Sequence, residues 1–330
     1  HVAVPVPLAR RLSGVDAPGL ELSFEPVRRV ARNTIPVVSS QGVLQISSLV
    51  DIMLASLAGP GAMAALGYSQ RLAYLPISLF GISVAAAALP SMSRESHTEA
   101  LRDRLTSGWF QILYFVLPAA VVLLLFGDLA VALVYQRREF GVDSTALVAA
   151  VLAAYALGLV AASSIKLFAA GFHAMQDTTT PMRIAVVSVT VAVLVSVTLT
   201  LAFRRAGLGS YSAVGIALGS AVGSWTNLLL LWAFLGRRTG GLFEGESMRQ
   251  VLRLALAAAA AAGVGLFVRT LLEPRFDSSG FVGRFILFSV VLTVGAVAYV
   301  AIAGRPPSRS RASAESNKEL ESEEGAGGTA

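Results

Sequence analysis

Apolar residues fill long stretches of this chain, and polar residues gather in the short gaps between them. A helix needs about 20 mainly apolar residues to cross a bilayer. Eight stretches qualify: 35–57, 62–90, 108–135, 146–170, 184–203, 213–235, 251–271 and 284–303. Pro76, Gly81, Pro118 and Gly158 fall inside them, which packed membrane helices tolerate. The second stretch is too long for one straight span, so it is expected to tilt or kink near Pro76. The pattern predicts an all-α integral membrane protein with eight transmembrane helices.

Composition agrees. The chain is 55% hydrophobic and 14% charged, against about 25% charged in soluble domains, and its mean hydropathy is +0.69. It has no cysteine, which excludes disulfides, thiolate metal sites and a cysteine nucleophile. His1, His97 and His173 stand far apart with no metal-binding spacing. The net charge is +6, and the arginines sit at helix ends rather than in one patch. That is a footprint of membrane topology, not of nucleic-acid binding. Val2 to Leu8 followed by Arg10 and Arg11 does not have the order of a signal peptide. It is expected to be the end of an earlier helix, which makes the chain a fragment.

The basic residues set an orientation. Segments on the side of the two chain ends hold 17 Lys and Arg and the opposite loops hold 7, with Arg71 and Lys166 inside the membrane. Both ends are therefore expected in the cytoplasm, and the uncharged turn Gly59-Pro60-Gly61 on the far side. From Arg305 to Ala330 the chain turns to Pro, Ser, Arg, Glu and Gly, too polar to offset ordering entropy, so a disordered tail is expected. Ala257 to Gly263 is nearly all alanine; small residues favour close helix packing, and nothing catalytic follows.

Asp51, Arg71 and Lys166 each sit inside one of the apolar stretches, at membrane depth. Each costs about 3 kcal/mol on insertion scales and so marks a functional interior by default. Gln41, Gln45, Ser48 and Asp51 recur at spacings of four, three and three, on one face of the first helix. Such a face points into a bundle or a wet cavity, either as interhelical hydrogen-bond glue or as an ion site. Tyr68, Arg71, Tyr74 and Ser78 make a similar stripe on the second helix. Arginine offers a planar fork of donors and cannot shed its proton, which suits Arg71 to a pyrophosphate or carboxylate. The alternative is an Asp51–Arg71 ion pair that locks two helices together. Lys166 lies about a turn from the end of the fourth helix and either snorkels or touches phosphate. The segment Phe172 to Pro181 separates the fourth and fifth helices, and Asp or Thr before Pro181 makes a good helix start.

These residues carry a resemblance. QISSLVDIMLAS (45–56), YSQRLAYLPISLFGISVAAAALPSMSR (68–94) and KLFAAGFHAMQDTTTPMRIAVVS (166–188) resemble the lipid II flippase family MurJ/MviN of the multidrug/oligosaccharidyl-lipid/polysaccharide transporter superfamily. Its members read Q-I-x-x-x-x-D, then Y-A-D-R-L with Pro and Gly following, then A-F-Y-A-x-x-D-T-x-T-P. The match runs in order over roughly residues 26 to 237 and involves the C-terminal part of the family only.

The resemblance implies the second six-helix lobe of a MurJ-like fold plus two C-terminal helices. Residues 1–33 would be a cytoplasmic linker from a missing N-terminal lobe, 34–237 the six-helix lobe, 238–303 the terminal helix pair and 304–330 the cytoplasmic tail. It also implies translocation of the undecaprenyl-pyrophosphate-linked peptidoglycan precursor, lipid II, across the bacterial cytoplasmic membrane by alternating access. The fragment is not expected to act alone. Arg71 matches the cavity arginine of Y-A-D-R-L; Tyr68, Tyr74, Gln45 and Lys166 complete the expected substrate contacts, with membrane lipids as surroundings. Asp51 matches an acidic position that contributes to a sodium site in some members, whose other ligands fall by spacing on Ala192, Ser196 and Ser220. Alanine offers no ligand, and Gln70 stands where Asp is common, so the chain departs from the pattern there.

No enzyme activity, cofactor or nucleic-acid partner is expected. Sodium or the membrane potential would drive transport, since no Walker-type phosphate loop appears. A polysaccharide-repeat flippase or a drug/cation antiporter of the same superfamily is the nearest alternative. A membrane-embedded polyprenyl-phosphate enzyme would need clustered loop aspartates, and the loops hold only the scattered Asp103 and Asp177.

Overall fold

A computed structural model of the chain describes residues 49–93, 98–136, 140–241, 245–274 and 280–304. Among them are nine longer helices, one 3-10 turn (Gly209–Tyr211) and no strand: α1 (Leu49–Ala58), α2 (Ala62–Met92), α3 (Thr98–Leu125), α4 (Gly127–Tyr135), α5 (Val142–Ala174), α6 (Thr179–Arg205), α7 (Ser212–Thr239), α8 (Gly245–Leu272) and α9 (Phe281–Ala303). Seven of these, all but α1 and α4, are long and apolar enough to cross a membrane. Helix α1 belongs to the first expected stretch. Gln41, Gln45 and Ser48 lie outside the described residues, as does the tail from Arg305.

The third stretch, expected as one helix over 108–135, is two. Phe126 leaves helical geometry (φ −121°, ψ 18°) between α3 and α4. Its buried ring fits against Gly265 of α8, where a Cβ would come within 2.9 Å of the ring. Asp128 then sits in the first turn of α4, where the helix dipole favours a carboxylate. Tertiary contacts with α8 thus go with a break that hydropathy alone does not mark.

Helix α2 changes character at the expected place. Pro76 has no amide hydrogen and crowds the preceding turn. Residues Ile77–Ile82 follow with the wider π geometry. Two hydroxyls serve the loosened backbone: Ser78 Oγ donates to the Leu75 carbonyl (3.0 Å) and Ser83 Oγ to the Ser78 carbonyl (3.1 Å). The segment lays Gly81 directly on α5, since a Cβ at Gly81 would stand 2.9 Å from Ser163 Cα. Farther back along α2, Ser69 Oγ donates to the Val148 carbonyl of α5 at 2.8 Å. Both pairings advance together in sequence, so α2 and α5 run parallel.

Helix α5 is the hub, packed by α2, α3, α4 and α7. Leu152, Leu159, Leu167, Phe168 and Phe172 are fully buried along it. The seam between α6 and α7 is closer still. Gly215, Gly219 and Gly223, four apart, meet Leu199 and Thr200, then Ser196, then Ala192. Small residues at this spacing bring two backbones into van der Waals contact.

Helices α8 and α9 pair with each other and dock on α3 and α4. Leu254, Ala257, Ala258 and Ala261 pack with Phe110, Leu113, Tyr114 and Tyr299, so the alanine run does serve close packing. At one end Tyr114 donates to the Gly304 carbonyl (2.8 Å), Tyr299 to the Tyr114 carbonyl (2.7 Å) and Arg253 to the Ala303 carbonyl (2.6 Å). At the other end Arg269 grips Asp128, and Arg284 donates to Gln136 Oε1 at 3.0 Å.

Candidate functional site

Packing decides which way the α2 stripe faces. Ala62, Ala65, Leu66, Ser69 and Ala73 are buried, which leaves Gln70, Arg71 and Tyr74 on the open side. The Arg71 guanidinium lies over the Tyr68 ring, 6.0 Å from its centroid. Tyr68 is half-buried and held in an aromatic trio, 4.7 Å from Tyr135 and edge-on to Phe140 at 5.6 Å. Tyr74 is 55% exposed. The Ser78 hydroxyl donates to its own helix backbone.

Asp51 and Arg71 form no ion pair among the described residues, which corrects the pairing alternative. The cause is the face each occupies. Asp51 shares a face with Ala55 and Ala58 at spacings of four and three, and both alanines are buried in the core. Arg71 is on the open side of α2.

Lys166 is exposed on α5, on the face that also carries Tyr155, Ala162, Ala169 and His173 by helical spacing. The α2–α5 register separates it from Arg71. Counting from Gly81–Ser163 or from Ser69–Val148 at 1.5 Å per residue, the two cations stand roughly 20–25 Å apart along the bundle. A single pyrophosphate does not span that distance. Gln45, the remaining expected contact, lies outside the described residues.

Two of the positions expected to face sodium, Ala192 and Ser196, lie in the tight α6–α7 seam. Ser196 is buried, its hydroxyl donates to the Ile216 carbonyl at 3.3 Å, and a Cβ on Gly219 would overlap that hydroxyl. A Cβ on Gly223 would reach within 2.5 Å of Ala192 Cβ. Ser220 is half-buried, and its carbonyl accepts the Ser224 hydroxyl. The α6–α7 seam is closely packed around Ala192 and Ser196.

The loop after α5 proves to be more than a connection. Gln176 turns the chain in left-handed geometry (φ 58°), and the Asp177 amide reaches back to the Phe172 carbonyl at 3.0 Å. Asp177 then accepts the Thr179 and Thr180 amides (3.1 and 2.9 Å) and the Thr180 hydroxyl (2.6 Å), capping α6. Arg238, at the end of α7, pairs with the same carboxylate at 2.7 Å and stacks over Phe172 at 5.6 Å. Burial pushes the Asp177 carboxyl up, but the Thr180 bonds and Arg238 outweigh it and hold it below the usual carboxylate range. The sequence reading passed over this latch and over Tyr135 and Phe140. The helix start before Pro181 and the arginine pair at 237–238 were its visible signals; the aromatic trio had none, because its members come from α2, α4 and the connection before α5.

A family model described as Lipid II flippase MurJ matches residues 2–290. The chain is 31% identical over 281 residues to a probable lipid II flippase MurJ of Rhizobium tropici, covering 82% of this chain and 51% of that protein. It is 36% identical over 237 residues to a protein of the same description from Rhizobium meliloti (strain 1021), covering 71% and 42%. Among solved structures it is similar to "Lipid II flippase MurJ, inward closed conformation", with TM-score 0.62, 20% identity and coverage of 91% of this chain and 60% of that one. That likeness shows a shared fold. The chain spans about half the length of the curated relatives it matches.

Proposed function

We propose, because the chain belongs to the lipid II flippase MurJ family, that it is part of a flippase moving lipid-linked peptidoglycan precursor across the bacterial cytoplasmic membrane. The observation that carries this reading is Arg71. It is a permanent cation at membrane depth, turned to the open side of α2, with no carboxylate partner among the described residues. Leaving a guanidinium there costs several kcal/mol unless an anion meets it. A pyrophosphate matches its planar fork of donors, while a polyprenyl tail stays in lipid.

Residues 34–237 form the transporting lobe in this reading and 238–303 a terminal pair, with both chain ends cytoplasmic. Alternating access then presents one head group to Lys166 and Arg71 in succession, because roughly 20–25 Å of bundle separates them. No bond is made or broken, so no acid, base or nucleophile is required. Sodium is disfavoured by the closely packed α6–α7 seam. The membrane potential is the driving force we assign: moving an anion out of a negative interior is downhill by about 2.3 kcal/mol per charge per 100 mV.

The test uses full-length protein in a lipid II transport assay. Arg71→Ala should abolish transport at normal expression, and Arg71→Lys should restore part, keeping charge but not the bidentate fork. Normal transport by a well-expressed Arg71→Ala protein would remove this reading.

A further inference from the structure

We infer that Tyr135, the last residue of α4, is a positioning residue for the Arg71 guanidinium and acts through Tyr68; this rests on the head-group reading of Arg71. Arginine carries about 2 kcal/mol of rotamer entropy, and an exposed one wanders unless something beneath it narrows the choice. The Tyr68 ring supplies that surface. Tyr68 in turn is held by residues of other elements. Tyr135 packs on it at 4.7 Å with rings inclined at 46°, Phe140 meets it edge-on, and Tyr135 and Phe140 touch each other at 6.1 Å. The Tyr135 hydroxyl also donates to the Tyr68 carbonyl at 3.5 Å, a long bond that adds little beside the ring contact.

The platform is anchored from outside α2. Helix α4 is tied to α8 through Asp128 and Arg269, and the residue after Tyr135, Gln136, accepts a hydrogen bond from Arg284 of α9. The place of the guanidinium is therefore set by helices that bear none of the head-group contacts. A contiguous set of contacts alone does not prove coupling, so the measurement is a cycle of variants.

Binding of lipid II to purified full-length protein in nanodiscs, with melting temperature read alongside, separates the roles. Tyr135→Ala should weaken binding about tenfold, or roughly 1.4 kcal/mol, with the melting temperature little changed. Tyr135→Phe, which keeps the ring, should bind within twofold of wild type. In an Arg71→Ala background, Tyr135→Ala should add no further loss. Should the alanine variant fail to fold, Tyr135→Leu replaces it; the leucine keeps bulk without a flat ring and should bind as weakly as the alanine was expected to. Wild-type affinity in the folded Tyr135→Ala or Tyr135→Leu protein, beside a clear loss in Arg71→Ala, overturns the positioning role and leaves the head-group reading standing. Losses that multiply independently in the double variant also overturn it. Wild-type affinity in Arg71→Ala overturns the head-group reading itself.

Discussion

Arg269 holds Asp128 with two nitrogens, at 3.1 and 2.6 Å, and so ties α8 to the first turn of α4. Two parallel bonds in a partly exposed place are worth more than a loose surface pair but far less than a dry one. Asp128→Asn should lower stability in detergent by about 1 kcal/mol, read as a small fall in melting temperature that shrinks at high salt. Exchanging the two residues, Asp128→Arg with Arg269→Asp, should recover part of the loss. A cycle with no coupling between the positions would show that the pair contributes nothing.

The α6–α7 seam predicts two outcomes. Gly219→Ala should destabilise by about 2 kcal/mol, since its Cβ meets both the Ser196 hydroxyl and, at 2.6 Å, the Ser196 amide nitrogen. Ser196→Ala should relieve the first contact only and rescue the variant in part. Replacing sodium by choline at constant ionic strength should leave the wild-type melting temperature unchanged. A sodium-specific stabilisation that vanishes in Asp51→Asn would contradict the packing argument.

Asp177 predicts a pH dependence with a definite sign. Its folded carboxyl is held below the ordinary range, so its stabilisation is present at neutral pH and is lost as pH falls through the lowered value. Between pH 5 and 8 the Asp177 carboxyl itself should stay ionised. Asp177→Asn should cost about 1 kcal/mol at pH 7, and Asp177→Ala about 1 kcal/mol more because the cap of α6 goes as well. Wild-type and Asn melting curves should draw together only as pH falls below the ordinary carboxylate range and through the lowered value; curves that stay parallel to the acid limit of folding would rule out the ion pair as the source.

Asp51 and Arg71 should behave as separate sites. Since they occupy different faces, the losses from Asp51→Asn and Arg71→Gln should add in the double variant to within about 0.5 kcal/mol. Better tolerance of the double change than of either single one would restore the ion pair that the geometry lacks.

Sequence period was enough to find the spans, the disturbance at Pro76 and the start of α6, because each depends on local hydropathy or on a proline. The break at Phe126 was not legible from hydropathy: it goes with the fit of the Phe126 ring against Gly265 of α8, more than a hundred residues away. The same holds for the candidate site. Arg71 announced itself as a charge in an apolar run, and Tyr68 and Tyr74 followed by spacing. Which face was open, and that Asp51 faced elsewhere, depended on how α1 and α2 packed. Even the spacing argument weakens beyond Ile77, because the wider turn shifts the phase of every later residue on α2.

The docking of α8 and α9 also has a consequence in time. Tyr114 and Gly304 are 190 residues apart, Tyr114 and Tyr299 185, and Asp128 and Arg269 141. A ribosome adding about 5–20 residues per second needs on the order of ten seconds to supply those partners. Throughout that interval Asp128 and Tyr114 lack the partners that α8 and α9 bring. The α8–α9 pair is thus a late-arriving cover, so the bundle it docks on is synthesised well before its own lock.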